Sequence, residues 1–91
     1  TMRHAHLTLI NPLGLHARAA AKLVGVAASF SSEISLEIGA KKANGKSIMD
    51  LLVLGAPVGT EVALSANGTD EDQACEAISA LILAGFHELD N

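Results

Sequence analysis

The residue best placed to do chemistry in this sequence is His16, in the segment Gly14-Leu15-His16-Ala17-Arg18. Helical spacing of apolar residues begins at Ala17, so His16 stands at a helix start, beside backbone N–H groups without intrahelical partners. A neutral imidazole is a nucleophile, and a phosphoryl group on it would meet the amides of Ala17 and Arg18 and the Arg18 guanidinium. The segment therefore indicates phosphoryl chemistry at His16. The alternative is an exposed histidine with no chemical role.

Ser47 is the second candidate, because it precedes the apolar run of residues 48–54. As an N-cap it would stabilise a short helix by about 1 kcal/mol. As a regulatory phosphosite it would instead add about two negative charges to the surface. The neighbouring Ile48 and Met49 are either core residues or an adaptable docking patch.

The other histidines carry weaker signals. His4 and His6 lie two residues apart on one strand face, where they could chelate a metal, but the sequence offers no third ligand. An exposed polar strand face explains them equally well, and His87 is expected to be solvated. We therefore predict no metal site and keep a metal-binding domain as a weak alternative.

Motifs for autonomous catalysis are absent from the sequence. It contains no Walker loop, no dinucleotide-binding glycine pattern and no Ser/His/Asp or Cys/His arrangement. A chain of this size also has little room for a deep pocket. If His16 handles phosphate, partner proteins must supply the catalysis, and no cofactor is expected.

The elements that position these residues follow from hydrophobic periodicity. Alternation predicts strands over 4–10, 33–38 and 60–66, with a short strand over 41–44. Helical spacing predicts helices from Ala17, over 48–54, and after Asp70, whose side chain is expected to cap the last helix. The order β-α-β-β-α-β-α favours an α+β fold in which three helices cover one face of a four-stranded antiparallel sheet.

Length and composition narrow the class of protein. The 91 residues predict a single domain spanning 1–91. An aromatic fraction of 2% and a net charge of −4 disfavour nucleic-acid binding. The single cysteine, Cys75, excludes an internal disulfide, and no leader pattern or membrane-spanning run is evident, so we expect a cytoplasmic protein. All six lysines and arginines fall within residues 1–47, which favours an anionic ligand or acidic partner, although so small a sample can be uneven by chance.

The two candidate motifs, taken together, resemble those of the HPr family, the histidine-containing phosphocarriers of the bacterial phosphoenolpyruvate-dependent phosphotransferase system. The resemblance extends over residues 2–88 and implies an open-faced β-sandwich. It rests on two groups of residues and their separation: 14–18 with 20–21, and 46–49 with 54–55.

The resemblance also implies roles and partners. His16 would take a phosphoryl group on Nδ1 from Enzyme I and pass it to Enzyme IIA-type acceptors for sugar uptake, with Arg18 as the active-site arginine. Ser47 would be the target of a serine kinase and phosphorylase that regulate acceptance. The chain would be a monomeric relay without its own catalysis, and its partner-docking residues would be Leu15, Ala20, Val24, Ile48, Met49 and Leu52.

One position departs from the family pattern, because Ala19 stands where the family usually has proline. Proline fixes φ at a helix start, whereas alanine favours the helix without that constraint. Two alternative functions remain: a nitrogen-branch phosphocarrier, and a regulatory phosphoserine module that acts on other proteins through Ser47 and the Ile48–Met49 pair.

Overall fold

The computed structural model of this chain describes residues 2–88. Their four strands form one antiparallel sheet in the order β1-β4-β2-β3, with three α-helices on one face, which confirms the predicted open-faced α+β fold. The elements are β1 (Arg3–Thr8), α1 (Ala17–Ala27), β2 (Glu33–Ile38), β3 (Lys41–Asn44), α2 (Ile48–Leu54), β4 (Glu61–Asn67), α3 (Glu71–Leu83) and a final 3-10 turn (Gly85–His87).

The two faces of the sheet differ because side chains alternate along each strand. On the covered face, Leu7 lies opposite Val62, and Leu36 lies opposite Leu64, and all four are buried beneath the helices. The uncovered face carries polar side chains, which include His4 and His6 of β1. The core therefore forms between the sheet and one layer of helices.

Helix α1 is the central helix of that layer, since it contacts both α2 and α3. Its buried stripe contains three alanines, Ala19, Ala20 and Ala27, together with Leu23. These side chains belong to the core cluster, and the packing of α1 against α2 and α3 positions the start of α1. Among the described residues, no helix has the length and hydropathy needed to cross a membrane.

Two residues expected on the docking surface are core residues instead. Ala20 is 0% exposed and Leu15 is 3% exposed. Ala20 shares the inward face of α1 with Leu23, three residues later, and with Ala27, seven residues later. Leu15 is held inward because its N–H donates to the carbonyl of Ala56 at 2.8 Å. The prediction that Leu15 and Ala20 contribute docking surface is therefore wrong.

Strand ends differ from prediction by one or two residues. β1 ends at Thr8 and β4 begins at Glu61. Beyond that point Leu9 still bonds to the chain before β4, with its N–H donating to Thr60 at 2.9 Å and its carbonyl accepting from Gly59 at 2.7 Å. Gly59 has a φ of 86°, a conformation that interrupts the regular ladder at this position.

Asp70 occupies the N-cap position of α3, but its side chain does not cap the helix as predicted. Its carboxylate instead accepts the N–H of Ser31 at 2.9 Å, the N–H of Ser32 at 3.0 Å and the Ser32 hydroxyl. The reason is geometric, since the loop between α1 and β2 presents three donors to this carboxylate. Asp70 therefore ties the start of α3 to that loop.

Asp70→Asn is expected to destabilise the protein at neutral pH and to match the wild type near pH 2. The Ser32 hydroxyl, followed by the Ser31 amide, lowers the pKa of Asp70 from 3.8 to about 2. A carboxyl whose pKa is lower in the folded state stabilises the fold above its unfolded pKa, and this stabilisation is lost as the pH falls through the folded value. Urea unfolding between pH 7 and pH 2 measures the difference.

The matched control is Asp72→Asn in the same helical turn. Asp72 and Arg3 form an exposed ion pair at 3.4 Å, so its removal should have little effect at any pH. A loss in Asp70→Asn that stays constant from pH 7 to pH 2 would contradict the assigned role.

Candidate functional site

The loop before α1 is held in one conformation by close backbone packing. Gly14 has a φ of 63°, and a Cβ built on it would lie 2.8 Å from the Cα of Pro57. The side-chain amide of Asn11 donates to the Gly14 carbonyl at 2.7 Å. Because Gly14 lies only two residues before His16, this loop fixes where the imidazole enters the helix.

His16 is the N-cap of α1, as its position in the sequence predicted. Its backbone is extended, with φ −91° and ψ −176°, and its carbonyl accepts the first helical hydrogen bond from Ala20 at 2.8 Å. Its Nδ1 accepts the N–H of Arg18 at 3.3 Å. The side chain is 24% exposed. Nδ1 thus faces the amides of the first helical turn, to which the Ala17 amide also belongs.

The other ring nitrogen faces a carboxylate that sequence reasoning missed. Nε2 lies 2.8 Å from Oε2 and 3.1 Å from Oε1 of Glu88, and Asn11 donates to the same Oε1 at 3.0 Å. An ionised carboxylate can only accept hydrogen bonds, so the network assigns the ring proton to Nε2. The lone pair of the neutral ring therefore lies on Nδ1.

The Glu88 carboxyl is ionised at neutral pH. Its burial acts to raise the pKa, but hydrogen bonds from Asn11 and His16, together with the attraction of Lys22 and of the His16 ring when that ring is protonated, outweigh burial and lower the pKa below its usual value. Glu88 stands 72 residues after His16 in the chain. Only the three-dimensional fold brings the two together, and no local motif in the sequence signals the contact.

Arg18 is exposed at the same site. With Pro12, Leu13 and Glu88 it lines a shallow cavity of about 210 Å³. Its guanidinium makes no ion pair with any of the residues described. A small anion at Nδ1 would therefore enter beside a cation that is not already neutralised.

Ser47 caps α2 as predicted. Its hydroxyl oxygen accepts the N–H of Asp50 at 3.2 Å, and the Asp50 carboxylate accepts the N–H of Asn44 at 3.1 Å. Ser47 is half-buried. Its structural role is therefore clear, and a regulatory role remains a prediction.

The predicted docking residues on α2 form an exposed apolar surface. Ile48, Met49 and Leu52 are all exposed, with Met49 at 66%. Leu13 and Val53, which are not among the predicted docking residues, are also exposed. On α1, Val24 is partly buried against the core. Because α2 packs on α1, this surface lies on the helical side of the molecule, where α1 begins at His16.

The remaining histidines lie apart from this site. His4 is exposed, with Nδ1 3.3 Å from the hydroxyl of Ser65, and His6 lies two residues further along β1. His87 is exposed, as expected. Within residues 2–88, no group of three or more His, Cys, Asp or Glu side chains is arranged to hold a metal ion.

Comparison with known proteins identifies the family of this chain. Residues 4–84 match the family described as PTS HPr component phosphorylation site. The chain is 43% identical to phosphocarrier protein HPr of Cupriavidus necator, over 89% of this chain and 91% of that protein. It is also 43% identical to phosphocarrier protein NPr of Shewanella violacea, over 97% of each chain.

A solved structure agrees. HPr from Thermoanaerobacter tengcongensis superimposes with a TM-score of 0.91 at 44% identity, covering 94% of this chain and 97% of that one. A nucleophilic ring nitrogen at a helix start, an exposed arginine beside it and the shared fold all lead to the same conclusion: this chain belongs to the HPr family of phosphocarrier proteins of the phosphotransferase system.

Proposed function

We propose that this chain relays phosphoryl groups through His16, accepting them from Enzyme I and passing them to Enzyme IIA-type acceptors for sugar uptake. One observation carries the proposal. The Nδ1 lone pair of His16 points toward the N–H of Arg18 at the start of α1, while Nε2 is occupied by Glu88. A ring held in this way keeps its proton on Nε2 and presents the Nδ1 lone pair as the nucleophile.

The chemistry is an in-line displacement at phosphorus. The Nδ1 lone pair forms the new P–N bond as the bond between phosphorus and the donor breaks, and donation reverses this step. The phosphoryl oxygens meet the amides of Ala17 and Arg18 and the Arg18 guanidinium. The cavity beside His16 is shallow, so the partners supply the positioning that accelerates transfer.

Partner docking is assigned to the exposed apolar surface of α2. Ile48, Met49 and Leu52 contribute to it, and Leu13 extends it beside Arg18. An exposed apolar patch next to a reactive residue suits short-lived contacts with large partners. The relay is assigned to the cytoplasm as a monomer in which His16 is open to one partner at a time.

Regulation is assigned to Ser47. Its hydroxyl caps α2 by accepting from Asp50, and Ile48 and Met49 follow it directly. A phosphate on this oxygen would bring about two negative charges next to the Asp50 carboxylate and the docking surface. A serine kinase would thereby weaken docking without touching His16, and a phosphorylase would restore it.

The relay is tested by incubating the chain with phosphoenolpyruvate and Enzyme I. We expect a mass increase of one phosphate that is lost in acid and is absent from His16→Ala. In the same assay Ser47→Asp should slow acceptance, whereas Ser47→Ala should not. An acid-stable phosphate, or one that persists in His16→Ala, would reject the relay.

The same assay separates the alternatives. Phosphate found only on Ser47 would favour a purely regulatory module. A phosphorylated His16 that transfers only to acceptors of a nitrogen-related branch would favour that branch instead, to which the NPr relative gives weak support.

A further inference from the structure

The four residues after α3, Gly85–Glu88, form a short segment that we name the C-terminal strap. Gly85, Phe86 and His87 have φ values of 62°, 55° and 61°. A residue with a side chain adopts this left-handed conformation at a cost of roughly 1–2 kcal/mol. Two such residues in succession imply that other contacts hold the strap in place.

Three contacts hold it. Phe86 is 0% exposed and is the largest fully buried side chain among the residues described. The ammonium of Lys22, on α1, donates to the Phe86 carbonyl at 2.6 Å. Asn11 binds Glu88 from the loop on the other side. These contacts hold the strap in place and position its last residue, Glu88, against Nε2 of His16.

We propose that the C-terminal strap is a positioning device for phosphoryl transfer, which holds the Glu88 carboxylate on Nε2 of His16 so that only Nδ1 is open to phosphorylation. This inference rests on the proposed relay. Glu88 touches neither donor nor acceptor, so it is a positioning residue rather than a catalytic one.

The carboxylate also has an electrostatic role. When Nδ1 forms its bond to phosphorus, the ring becomes a cation that keeps its proton on Nε2, and Glu88 remains a carboxylate. In the reverse step a protonated ring leaves phosphorus as neutral imidazole, whereas an unprotonated ring would have to leave as an anion. Glu88 therefore keeps the phosphorylated ring protonated, and so reactive, over a wider range of pH.

Other charged groups face Glu88 from α1. Lys22 acts on it through its charge, and Arg18 lines the same cavity. Both residues are unchanged in the Glu88 variants, so their charges are common to every profile that is compared. A change in the pH profile on substitution of Glu88 would then report its own contact with Nε2.

The test uses phosphoramidate, a small phosphoryl donor that releases ammonia as the new P–N bond forms, so no partner protein is needed. Nitrogen-15 NMR of the ring identifies which nitrogen of His16 carries phosphate. We expect Nδ1 in the wild type. In Glu88→Ala the ratio of the Nε2 isomer to the Nδ1 isomer should rise about tenfold, because a hydrogen bond to a charged group no longer protects Nε2.

Two further variants separate the roles of the carboxylate and the strap. Glu88→Gln keeps an acceptor on Nε2, so it should preserve the Nδ1 isomer. Phosphohistidine hydrolysis should, however, begin to slow at a pH about 1 unit lower than in the wild type, because the negative charge of Glu88 is lost. Lys22→Met leaves the carboxylate in place but loosens the strap, so its isomer ratio should fall between those of the wild type and Glu88→Ala.

His87→Asn is the matched control, because it changes an exposed strap residue and asparagine tolerates a positive φ. It should match the wild type in both measurements. An isomer ratio in Glu88→Ala or Lys22→Met equal to that of the wild type would overturn the strap proposal, as would an unchanged pH profile in Glu88→Gln. A failure of the proposed relay gives a different result. In that case phosphoramidate still modifies Nδ1 of the wild type, but Enzyme I does not phosphorylate it.

Discussion

Gly14→Ala is expected to lower the free energy of unfolding by about 3 kcal/mol. The φ of 63° at Gly14 places an alanine in the left-handed region, at a cost of roughly 1–2 kcal/mol. The new Cβ would also press on the backbone of Ala56 and Pro57, which cannot rotate away as a flexible side chain could. Overpacking of this kind costs typically about 1–3 kcal/mol more. Urea denaturation of the wild type and the variant measures the loss.

Gly39→Ala separates conformational strain from steric clash. Gly39 has a φ of 58°, close to that of Gly14, but a Cβ there would meet no atom within 4 Å. Its loss should therefore be roughly 1–2 kcal/mol, from the backbone conformation alone. If the two variants lose the same stability, the packing of the loop against Ala56 and Pro57 is not what makes Gly14 necessary.

Gly14→Ala should also slow phosphoryl acceptance by His16 at temperatures where the variant is still folded. Leu15 bonds to Ala56 directly after Gly14, and the imidazole follows one residue later. A backbone that moves to relieve the clash would shift the ring relative to the Arg18 amide. The rate of phosphoryl acceptance in folded Gly14→Ala, set against folded Gly39→Ala, measures that shift.

The features that sequence reasoning predicted are those set by neighbouring residues. The Ser47 cap, the position of His16 at a helix start and the alternation of β2 depend on a few consecutive side chains and backbone groups. Their order along the chain then restricts the fold to few arrangements, because short connections favour adjacent antiparallel elements.

The features that it missed depend on the tertiary fold. Glu88 contacts His16 although 72 residues separate them in the chain. The Asp70 carboxylate does not cap α3, because it accepts hydrogen bonds from Ser31 and Ser32 in a loop that is distant in sequence. Leu15 and Ala20 were misplaced for a related reason. Both are apolar residues next to a reactive group, and only the folded structure shows that they face inward.

The two sides of the imidazole illustrate the difference. The Nδ1 side is built by the next two residues of the chain, so the motif alone indicates it. The Nε2 side is built by the C-terminal strap, so it appears only in the folded structure. A relay histidine needs both, since one side receives phosphate and the other fixes the proton.

Arg18→Ala is expected to slow phosphoryl acceptance by His16 about 10²–10³-fold, the usual effect of removing one preorganised charge-stabilising donor. The transferring phosphoryl group carries negative charge on its oxygens, and the guanidinium borders the cavity where they would lie. Arg18→Lys should recover only part of the rate, because an ammonium offers a point charge without the two-pronged geometry of arginine. Rapid-quench measurement with phosphorylated Enzyme I gives the rates.

The control for this experiment must remove a positive charge without touching the cavity. Lys42→Ala does so, since Lys42 lies on β3, next in sequence to the buried Ala43, and therefore on the uncovered face of the sheet. If Lys42→Ala slowed acceptance as much as Arg18→Ala, the effect would belong to the net charge of the chain and its attraction to Enzyme I. A large loss confined to Arg18→Ala would instead place the guanidinium at the phosphoryl group, because long-range attraction depends on total charge whereas a hydrogen bond depends on position.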